Sequence, residues 1–283
     1  MFKNIKKQLW AFDAEWIPDP HSGRILYQLA DSLTDAEVME EMWQRGGATE
    51  ENPTPYLKTV QCRLVSIAMV QRQIHDNGQI TLRLLSLPRS LDGKEGEREI
   101  LQTFLGALGD RQPQLVGYNS LAADIRIMVQ RGITQGITAP RFARRPNKPW
   151  EGVDYFARGG DWHIDLKDYA APGWGSGTPS LHEMAVLSGI PGKMETDGQQ
   201  VPKLWLEDRL DKIVAYNEFD ALTTYLVWMR MAHFTGLITP DQYQQEQQLT
   251  RALIVKESKA KPYLSDFLDE WDRLIEAWKK AVN

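Results

Sequence analysis

The chain has 283 residues, of which 42% are hydrophobic and 25% charged, and its formal net charge is −5. This composition is that of a globular protein with a sizeable core, and the acidic balance argues against binding nucleic acid through a broad basic face. No apolar run is long enough to span a membrane and no secretory signal is visible, so we expect a soluble cytoplasmic protein.

The first part of the chain predicts a β-meander with an insertion. Its three strands, recognised by apolar and β-branched runs, are predicted at residues 9–16, 63–74 and 80–87. Residues 19–59 are predicted to be an insertion of loops around one polar helix, DAEVMEEMWQR. In that helix Asp35 and Glu37 follow Thr34, so we expect them in the first turn of a solvated helix, where acids favour the helix dipole.

The second part of the chain predicts a β-α-β unit followed by helices. Apolar residues recur at helical spacing over residues 97–108, and the short strand QLVGYN runs into the helix AADIRIMVQRG, which Gly132 is expected to end. DWHIDL is predicted as a fifth strand. Further helices are predicted at residues 180–187, 208–234, 240–251 and 264–282. This order of elements predicts a mixed α/β fold.

Two acids lie close together in the first predicted strand, QLWAFDAEWIPD. Strand alternation puts Asp13 and Glu15 on one face, and Trp10, Phe12 and Trp16 on the other. Buried carboxylates need compensation, which either a divalent cation or a structural salt bridge would supply. Because the same tripeptide DAE recurs in the helix of the insertion, the pair alone does not decide between them.

Two more acids occur at places where they can join this pair. Asp124 lies in the first turn of the helix that follows QLVGYN, with Tyr118 and Asn119 at the turn between them. An isolated acid there would be an ordinary first-turn residue. In DKIVAYNEFDALTTYLVWMR, Tyr216 and Asp220 are four residues apart and share one helix face, and an apolar stripe anchors the helix against a sheet.

The order and element types of these residues resemble those of the DEDD 3′-5′ exonuclease superfamily, in its tyrosine-bearing subclass. The chain is similar in particular to stand-alone predicted 3′-5′ exonucleases related to the exonuclease domain of family-B DNA polymerases. The matching motifs are FDAEWIPD, GYNSLAADIRIM and YNEFDALTTYL. One departure is Ala123, where the second motif usually has an aromatic residue. The sister subclass has a histidine where this chain has Ala215, which favours the tyrosine subclass.

The resemblance implies an RNase H-like fold, with a central mixed sheet of about five strands flanked by helices. The exonuclease domain would comprise residues 1–236, including the insertion at 19–59. Residues 237–283 would form a helical carboxy-terminal extension packed on that domain.

The resemblance also implies a catalytic site. Two Mg²⁺ or Mn²⁺ ions would be bound by four carboxylates, those of Asp13, Glu15, Asp124 and Asp220. Oxygen ligands of this kind suit both ions. Asp13 is the candidate to bridge the two ions, and Tyr216 would orient the attacking water.

The function implied is a metal-dependent 3′-5′ exonuclease that releases nucleoside 5′-monophosphates from single-stranded DNA or frayed 3′ ends. Any proofreading would then be performed in trans, with a polymerase or a replication or repair protein as partner, or the enzyme would serve repair, recombination or phage-type DNA metabolism. Two alternatives stay open. One is a 3′-5′ exoribonuclease using the same site, and the other is a catalytically silent nucleic-acid-binding module.

Five residues are candidates for contacts to the substrate strand. Tyr118 and Asn119, beside the second motif, are expected to touch the terminal nucleotide, because aromatic stacking holds single strands regardless of sequence. Lys193 in GIPGK is a candidate phosphate contact, or else a cation at a helix carboxy terminus. Arg144 and Arg145 would guide the phosphate backbone, unless they belong to a solvated basic loop.

Overall fold

The computed structural model describes residues 2–91, 95–148, 150–173, 175–194 and 198–282. Its centre is a five-stranded sheet with the order β3-β2-β1-β4-β5. The strands are β1 (Gln8–Pro18), β2 (Cys62–Ile74), β3 (Ile80–Leu87), β4 (Gln114–Gly117) and β5 (His163–Asp165). β2 is antiparallel to β1 and β3, whereas β4 is parallel to β1 and β5. The predicted mixed sheet of about five strands is confirmed.

Helices flank this sheet on both faces. They are α1 (Pro20–Tyr27), α2 (Asp35–Arg45), α3 (Glu97–Arg111), α4 (Asp124–Thr134), α5 (Pro140–Ala143), α6 (Leu166–Ala170), α7 (Leu181–Val186), α8 (Val201–Leu206), α9 (Leu210–Phe234), α10 (Pro240–Glu257) and α11 (Leu264–Val282). Within the described residues, none of these helices is both long and apolar enough to cross a membrane. The prediction that Gly132 ends a helix is wrong, because α4 continues to Thr134. The sequence also did not predict α1 and α8, whose few turns carry no clear apolar period.

The two faces of β1 enter different cores, as its alternation predicted. Leu9 and Ala11 belong to a cluster built around α9 and the helices that follow it. Trp10 and Phe12 belong to a second cluster that includes residues of α3 and α4. The regular register of β1 with β2 breaks between Glu15 and Trp16.

The insertion between β1 and β2 is more ordered than the sequence predicted. Thr34 and Glu37 form a capping box at the start of α2, so the predicted first turn, with Asp35 and Glu37, is confirmed. α2 exposes its charged face, with Asp35 and Glu37, to solvent and buries its apolar face. The buried residues are Val38, Met39, Met42 and Trp43. The insertion is therefore a packed part of the fold.

A buried ion-pair network ties this insertion to the helices beneath the sheet. The guanidinium of Arg131, in α4, lies 2.9 Å from the carboxylate of Asp19 and 2.6 Å from that of Glu97. Asp19 also accepts a hydrogen bond from the backbone N–H of His21 and so caps α1. The network joins the end of β1 to α3 and α4.

The helices after residue 236 share the core of the sheet. α10 packs on β3 and α9, and its Glu246 is bound by Arg72 of β2 through two hydrogen bonds of 2.8 and 2.5 Å. Tyr225 of α9 donates a third hydrogen bond, of 2.7 Å, to the same carboxylate. Arg72 and Glu246 are both buried. This ion pair fixes α10 against the sheet.

We expect Glu246→Gln to lower the free energy of unfolding by about 3–5 kcal/mol, because the Arg72 guanidinium would stay buried without a counter-charge. Urea unfolding followed by circular dichroism measures the change. Glu270→Gln is the matched control, since it breaks an exposed pair with Arg273 and should cost at most about 1 kcal/mol. Equal losses in the two variants would contradict the role given to the buried pair.

Candidate active site

The site begins where β1 and β4 stop pairing. Their parallel register ends at Ala11 and Val116, although β1 continues to Pro18. The first turn of α4 enters at this point, and Asp124 Oδ1 accepts a hydrogen bond of 3.0 Å from the backbone N–H of Ala14. The Asp124 carboxylate therefore replaces a neighbouring strand as the hydrogen-bond acceptor for the N–H of Ala14. This bond also fixes Asp124 beside β1.

Three carboxylates meet on the α9 side of β1. Asp13 and Glu15 project from β1, and Asp220 projects from α9, which packs across that strand. One oxygen from each of these three side chains lies within 4.8 Å of the others. Asp124 adds a fourth negative charge close enough to raise the pKa of Asp13 and Glu15. The structure therefore brings together the four acids that the sequence singled out.

The acids lie in an environment that disfavours their charged forms. Removal from water, followed by the neighbouring carboxylates, holds the pKa of Asp13 and of Glu15 well above the ordinary values. Burial raises the pKa of Asp124 to about 8. Burial also raises the pKa of Asp220 to about 6, while the Tyr216 hydroxyl and the charge of Lys193 oppose this rise. A bound cation would relieve the repulsion, and four carboxylates are hard oxygen donors of the kind that Mg²⁺ and Mn²⁺ accept.

Tyr216 lies one helical turn before Asp220 on α9. Its side chain is buried, and its hydroxyl forms a hydrogen bond with the Asp220 carboxylate. Burial, together with the negative charges of Glu15 and Asp220, raises the pKa of the phenol far above its ordinary value of 10. Tyr216 is therefore a neutral hydroxyl in this site, able to orient a neighbour by hydrogen bonding but unsuited to act as a base.

Asn217 completes the site and was not predicted from the sequence. It is fully buried, its Oδ1 accepts a hydrogen bond of 2.9 Å from Ser66 Oγ, and its Nδ2 donates one of 2.7 Å to Asp13 Oδ2. The bond from Ser66 fixes the orientation of the amide, so that its donor faces Asp13. A polar residue next to Tyr216 on a mostly apolar helix was the signal that could have revealed it.

Three of the predicted substrate contacts lie near the acids. Tyr118 and Asn119 line the same cleft as the carboxylates. The backbone N–H of Asn119 donates to Asp165 at 2.8 Å, and its side-chain oxygen accepts a hydrogen bond of 3.2 Å from Lys167. Lys193 is close enough for its charge to lower the pKa of Glu15 and Asp220. Lys193 follows α7 by seven residues, so the alternative of a helix-terminal cation has no support.

The other two predicted contacts are not brought to the carboxylates. Arg145 binds the buried carboxylate of Asp154 at 2.9 Å. Tyr155, which follows Asp154 in the sequence, donates a hydrogen bond of 2.9 Å to the carbonyl of Pro113. Pro113 directly precedes β4, whereas the acids lie beyond the other end of that strand. Among the described residues that line the cleft, neither Arg144 nor Arg145 is found.

The acids open into a cleft of about 230 Å³. Its floor is β1, one side is the turn between β4 and α4, and another side comes from the insertion and from the segment that contains the 3-10 helix Gly198–Gln200 and the start of α8. The residues contributed by these last two segments are Trp43, Thr54, Pro55, Tyr56, Leu57, Gly198, Gln199 and Pro202. The sequence did not predict that the insertion would form a wall of the site.

Sites that hold two metal ions occur in nucleases, and also in phosphatases, polymerases and aminopeptidases. A family model described as a predicted 3′-5′ exonuclease related to the exonuclease domain of PolB matches residues 54–271 of this sequence. The chain belongs to this family, which confirms the predicted relationship. The matched residues include Asp124, Tyr216 and Asp220, whereas β1 with its two acids precedes them.

The chain is also similar to a solved family B DNA polymerase from the hyperthermophilic archaeon Pyrobaculum calidifontis. The sequence identity is 14% and the TM-score is 0.47, and the match covers 80% of this chain and 24% of the polymerase. The chain thus spans about a quarter of that polymerase. No curated protein matches the sequence significantly.

We expect the protein without divalent cations to lose stability as the pH rises from about 4 to about 8. The folded pKa of Asp124, about 8, exceeds the ordinary aspartate value of 3.8. Between these two pKa values Asp124 is protonated in the folded state and ionised in the unfolded state. The stability that this difference contributes falls as the pH rises and is lost above the folded pKa. One such proton changes the free energy of unfolding by about 1.4 kcal/mol per pH unit.

Asp124→Asn tests this expectation in urea titrations with chelator present. Asparagine keeps an oxygen for the N–H of Ala14 but has no proton to lose, so the decline with pH should be shallower than in the wild type. Identical slopes for the two proteins would show that Asp124 does not hold the proton assigned to it.

Proposed function

We propose that this protein is a metal-dependent 3′-5′ exonuclease that hydrolyses single-stranded DNA or frayed 3′ ends to nucleoside 5′-monophosphates. The observation that supports this most is the cluster of Asp13, Glu15 and Asp220, whose carboxylate oxygens approach within 4.8 Å of one another. It lies in a cleft of a chain whose family is described as predicted 3′-5′ exonucleases.

The four acids fit a pair of Mg²⁺ or Mn²⁺ ions. Asp13, Glu15 and Asp220 would hold one ion, and Asp13 with Asp124 would hold the other. Two such ions can generate the attacking hydroxide and stabilise the leaving 3′ oxygen in an in-line displacement at phosphorus. Asn217 would hold one oxygen of Asp13 in place, since its amide donates to Oδ2. This leaves the other oxygen free to bind metal.

Tyr216 would position the attacking water. Its hydroxyl hydrogen is directed to Asp220, so the phenolic oxygen can accept a hydrogen bond from a water between the helix and the scissile phosphate. Since burial and the neighbouring carboxylates raise its pKa, the phenol would act as a hydrogen-bonding group and not as a base. Lys193, near Glu15 and Asp220, would contact a phosphate of the strand. Tyr118 and Asn119 would contact the nucleotide from the turn after β4.

We expect the wild type, with Mg²⁺ or Mn²⁺, to shorten 5′-labelled single-stranded DNA stepwise from its 3′ end, and Asp13→Ala to leave the DNA intact. Denaturing gel electrophoresis resolves the ladder. Asp35→Ala is the matched control, because it alters the second DAE tripeptide, which lies in α2 and pairs with Arg24 at 3.0 Å. This control should keep full activity.

Internal cuts, or a ladder that survives Asp13→Ala, would contradict the proposed mechanism. An RNA oligonucleotide of the same sequence tests the preference for DNA, and faster digestion of the RNA would assign the site to an exoribonuclease. A protein that binds the 3′ end with Mn²⁺ but leaves it intact would be the silent binding module.

We expect Tyr216→Phe to lower kcat by about a hundredfold, because a misplaced nucleophile costs rate without loss of binding. Single-turnover digestion with saturating enzyme measures this step. We also expect Mn²⁺ to raise the melting temperature of the wild type, because it would relieve the repulsion between the carboxylates. Tyr216→Phe should keep this rise, whereas Asp220→Asn should lose it. If Tyr216→Phe also loses the metal-dependent rise, the tyrosine acts on the metal ligands and not on the water.

A further inference from the structure

The turn between β4 and α4, residues 118–123, leads directly into Asp124 but is poorly stabilised by its own sequence. Asn119 has a left-handed backbone, with a φ of 62°, which residues other than glycine adopt infrequently. Ala123, at the N-cap position of α4, makes no side-chain hydrogen bond to the first turn of that helix, where serine, threonine, aspartate or asparagine would provide one. The conformation of this turn therefore depends on contacts from another part of the chain.

Asp165, at the end of β5, supplies two of these contacts. Its buried carboxylate accepts a hydrogen bond of 2.8 Å from the backbone N–H of Asn119 at Oδ1 and one of 3.0 Å from that of Leu121 at Oδ2. Oδ1 also accepts a hydrogen bond of 3.1 Å from the backbone N–H of Lys167. Because the backbone engages both oxygens, Asp165 acts on the turn and is not available as a metal ligand.

His163, two residues before Asp165 on the same face of β5, supplies a third contact. Its Nδ1 lies 3.1 Å from the carbonyl oxygen of Tyr155, and its Nε2 lies 2.8 Å from Ser120 Oγ. Burial lowers the pKa of the imidazole to about 4, so the neutral ring donates from Nδ1 to the carbonyl and accepts from the Ser120 hydroxyl at Nε2. A Cβ on Gly117 would lie 2.3 Å from Ser120 Oγ, so the glycine leaves the room that this contact needs.

Backbone hydrogen bonds carry these contacts to both neighbours of Asp124. The carbonyl of Asn119 accepts a hydrogen bond of 3.0 Å from the N–H of Ala123, and the carbonyl of Ser120 accepts one of 2.8 Å from the N–H of Ile125. The residues before and after Asp124 are thus bonded to two turn residues that β5 holds. The backbone position from which the Asp124 side chain reaches β1 is therefore set by β5.

We propose that His163 and Asp165, together the β5 clamp, are positioning residues that hold Asp124 in the geometry in which its carboxylate binds a divalent cation. The inference rests on the proposed function, because it takes Asp124 as a metal ligand. Groups that orient a metal ligand typically contribute about ten- to hundredfold to metal affinity, although they do not touch the metal. A displaced turn should therefore weaken metal binding even where the fold is kept.

Calorimetric titration of the DNA-free protein with Mn²⁺ tests the β5 clamp with three variants. Asp165→Asn turns an NH₂ group toward one backbone N–H of the turn, so one of the bonds to the turn is lost. Ser120→Ala removes the bond to His163 without a change of charge. Asp161→Asn is the matched control, because it removes the charge of a carboxylate just before β5 that accepts a hydrogen bond of 3.2 Å from Asn4.

We expect Asp165→Asn and Ser120→Ala to weaken Mn²⁺ binding about tenfold, and Asp161→Asn to bind Mn²⁺ as tightly as the wild type. In digestion of single-stranded DNA, the Mn²⁺ concentration for half-maximal rate should rise by the same factor in the first two variants. A purely structural role would lower the melting temperature but leave both Mn²⁺ constants unchanged in the folded protein. Circular dichroism establishes that each variant is folded, and Ser120→Ala decides if Asp165→Asn is not.

Unchanged Mn²⁺ affinity in the folded Asp165→Asn and Ser120→Ala variants would overturn the β5 clamp. Equal losses in Asp165→Asn and Asp161→Asn, with none in Ser120→Ala, would assign the effect to charge and would overturn it as well. A loss confined to Asp165→Asn would contradict the part given to His163. A wild type that binds Mn²⁺ but digests no DNA would contradict the proposed function alone, because calorimetry would still measure the β5 clamp.

Discussion

The hydrogen bond from the N–H of Ala14 to Asp124 is the contact on which the site depends. Parallel pairing of β1 with β4 stops after Ala11, and the remainder of β1 on that side needs other partners. Asp124 provides one by bringing the first turn of α4 against the strand. The same opening of the sheet creates the cleft, so a single interruption of strand pairing both exposes the floor of the site and delivers one of its acids.

Clustering four acids works against the stability of the fold, and the surroundings offset this cost with buried polar contacts. Asn217 donates to Asp13 and accepts from Ser66 of β2, which fixes α9 relative to the sheet at the level of the site. On the next residue of α9, the buried carboxylate of Glu218 accepts hydrogen bonds from Ser86 and from the loop before α11. These bonds hold α9 rigidly against the sheet, so its three site residues keep their positions although like charges repel.

Local patterns are enough to predict the sheet and the long helices, whereas the grouping of the four acids into one site came from the resemblance to a known family. Alternation and helical spacing depend on neighbours in sequence, and they place Asp13 with Glu15 on one strand face and Tyr216 with Asp220 on one helix face. What these patterns do not predict depends on contacts between distant residues. Asn217 has its role because Ser66 lies 151 positions away. In the sequence, Arg145 resembles a phosphate contact, because the residues next to it do not reveal that the carboxylate of Asp154 binds its guanidinium and compensates its charge.

The sheet and the insertion contribute different parts of the cleft. The acids lie on the sheet and α9, elements whose positions are fixed by strand register and by buried ion pairs. The wall that the insertion contributes shares a core cluster with residues of β1, β2, α8 and α9, because Met39 and Trp43 of α2 pack together with Tyr216. The carboxylate cluster and this wall of the cleft therefore come from separate parts of the chain, joined at β1 through Asp19 and Arg131.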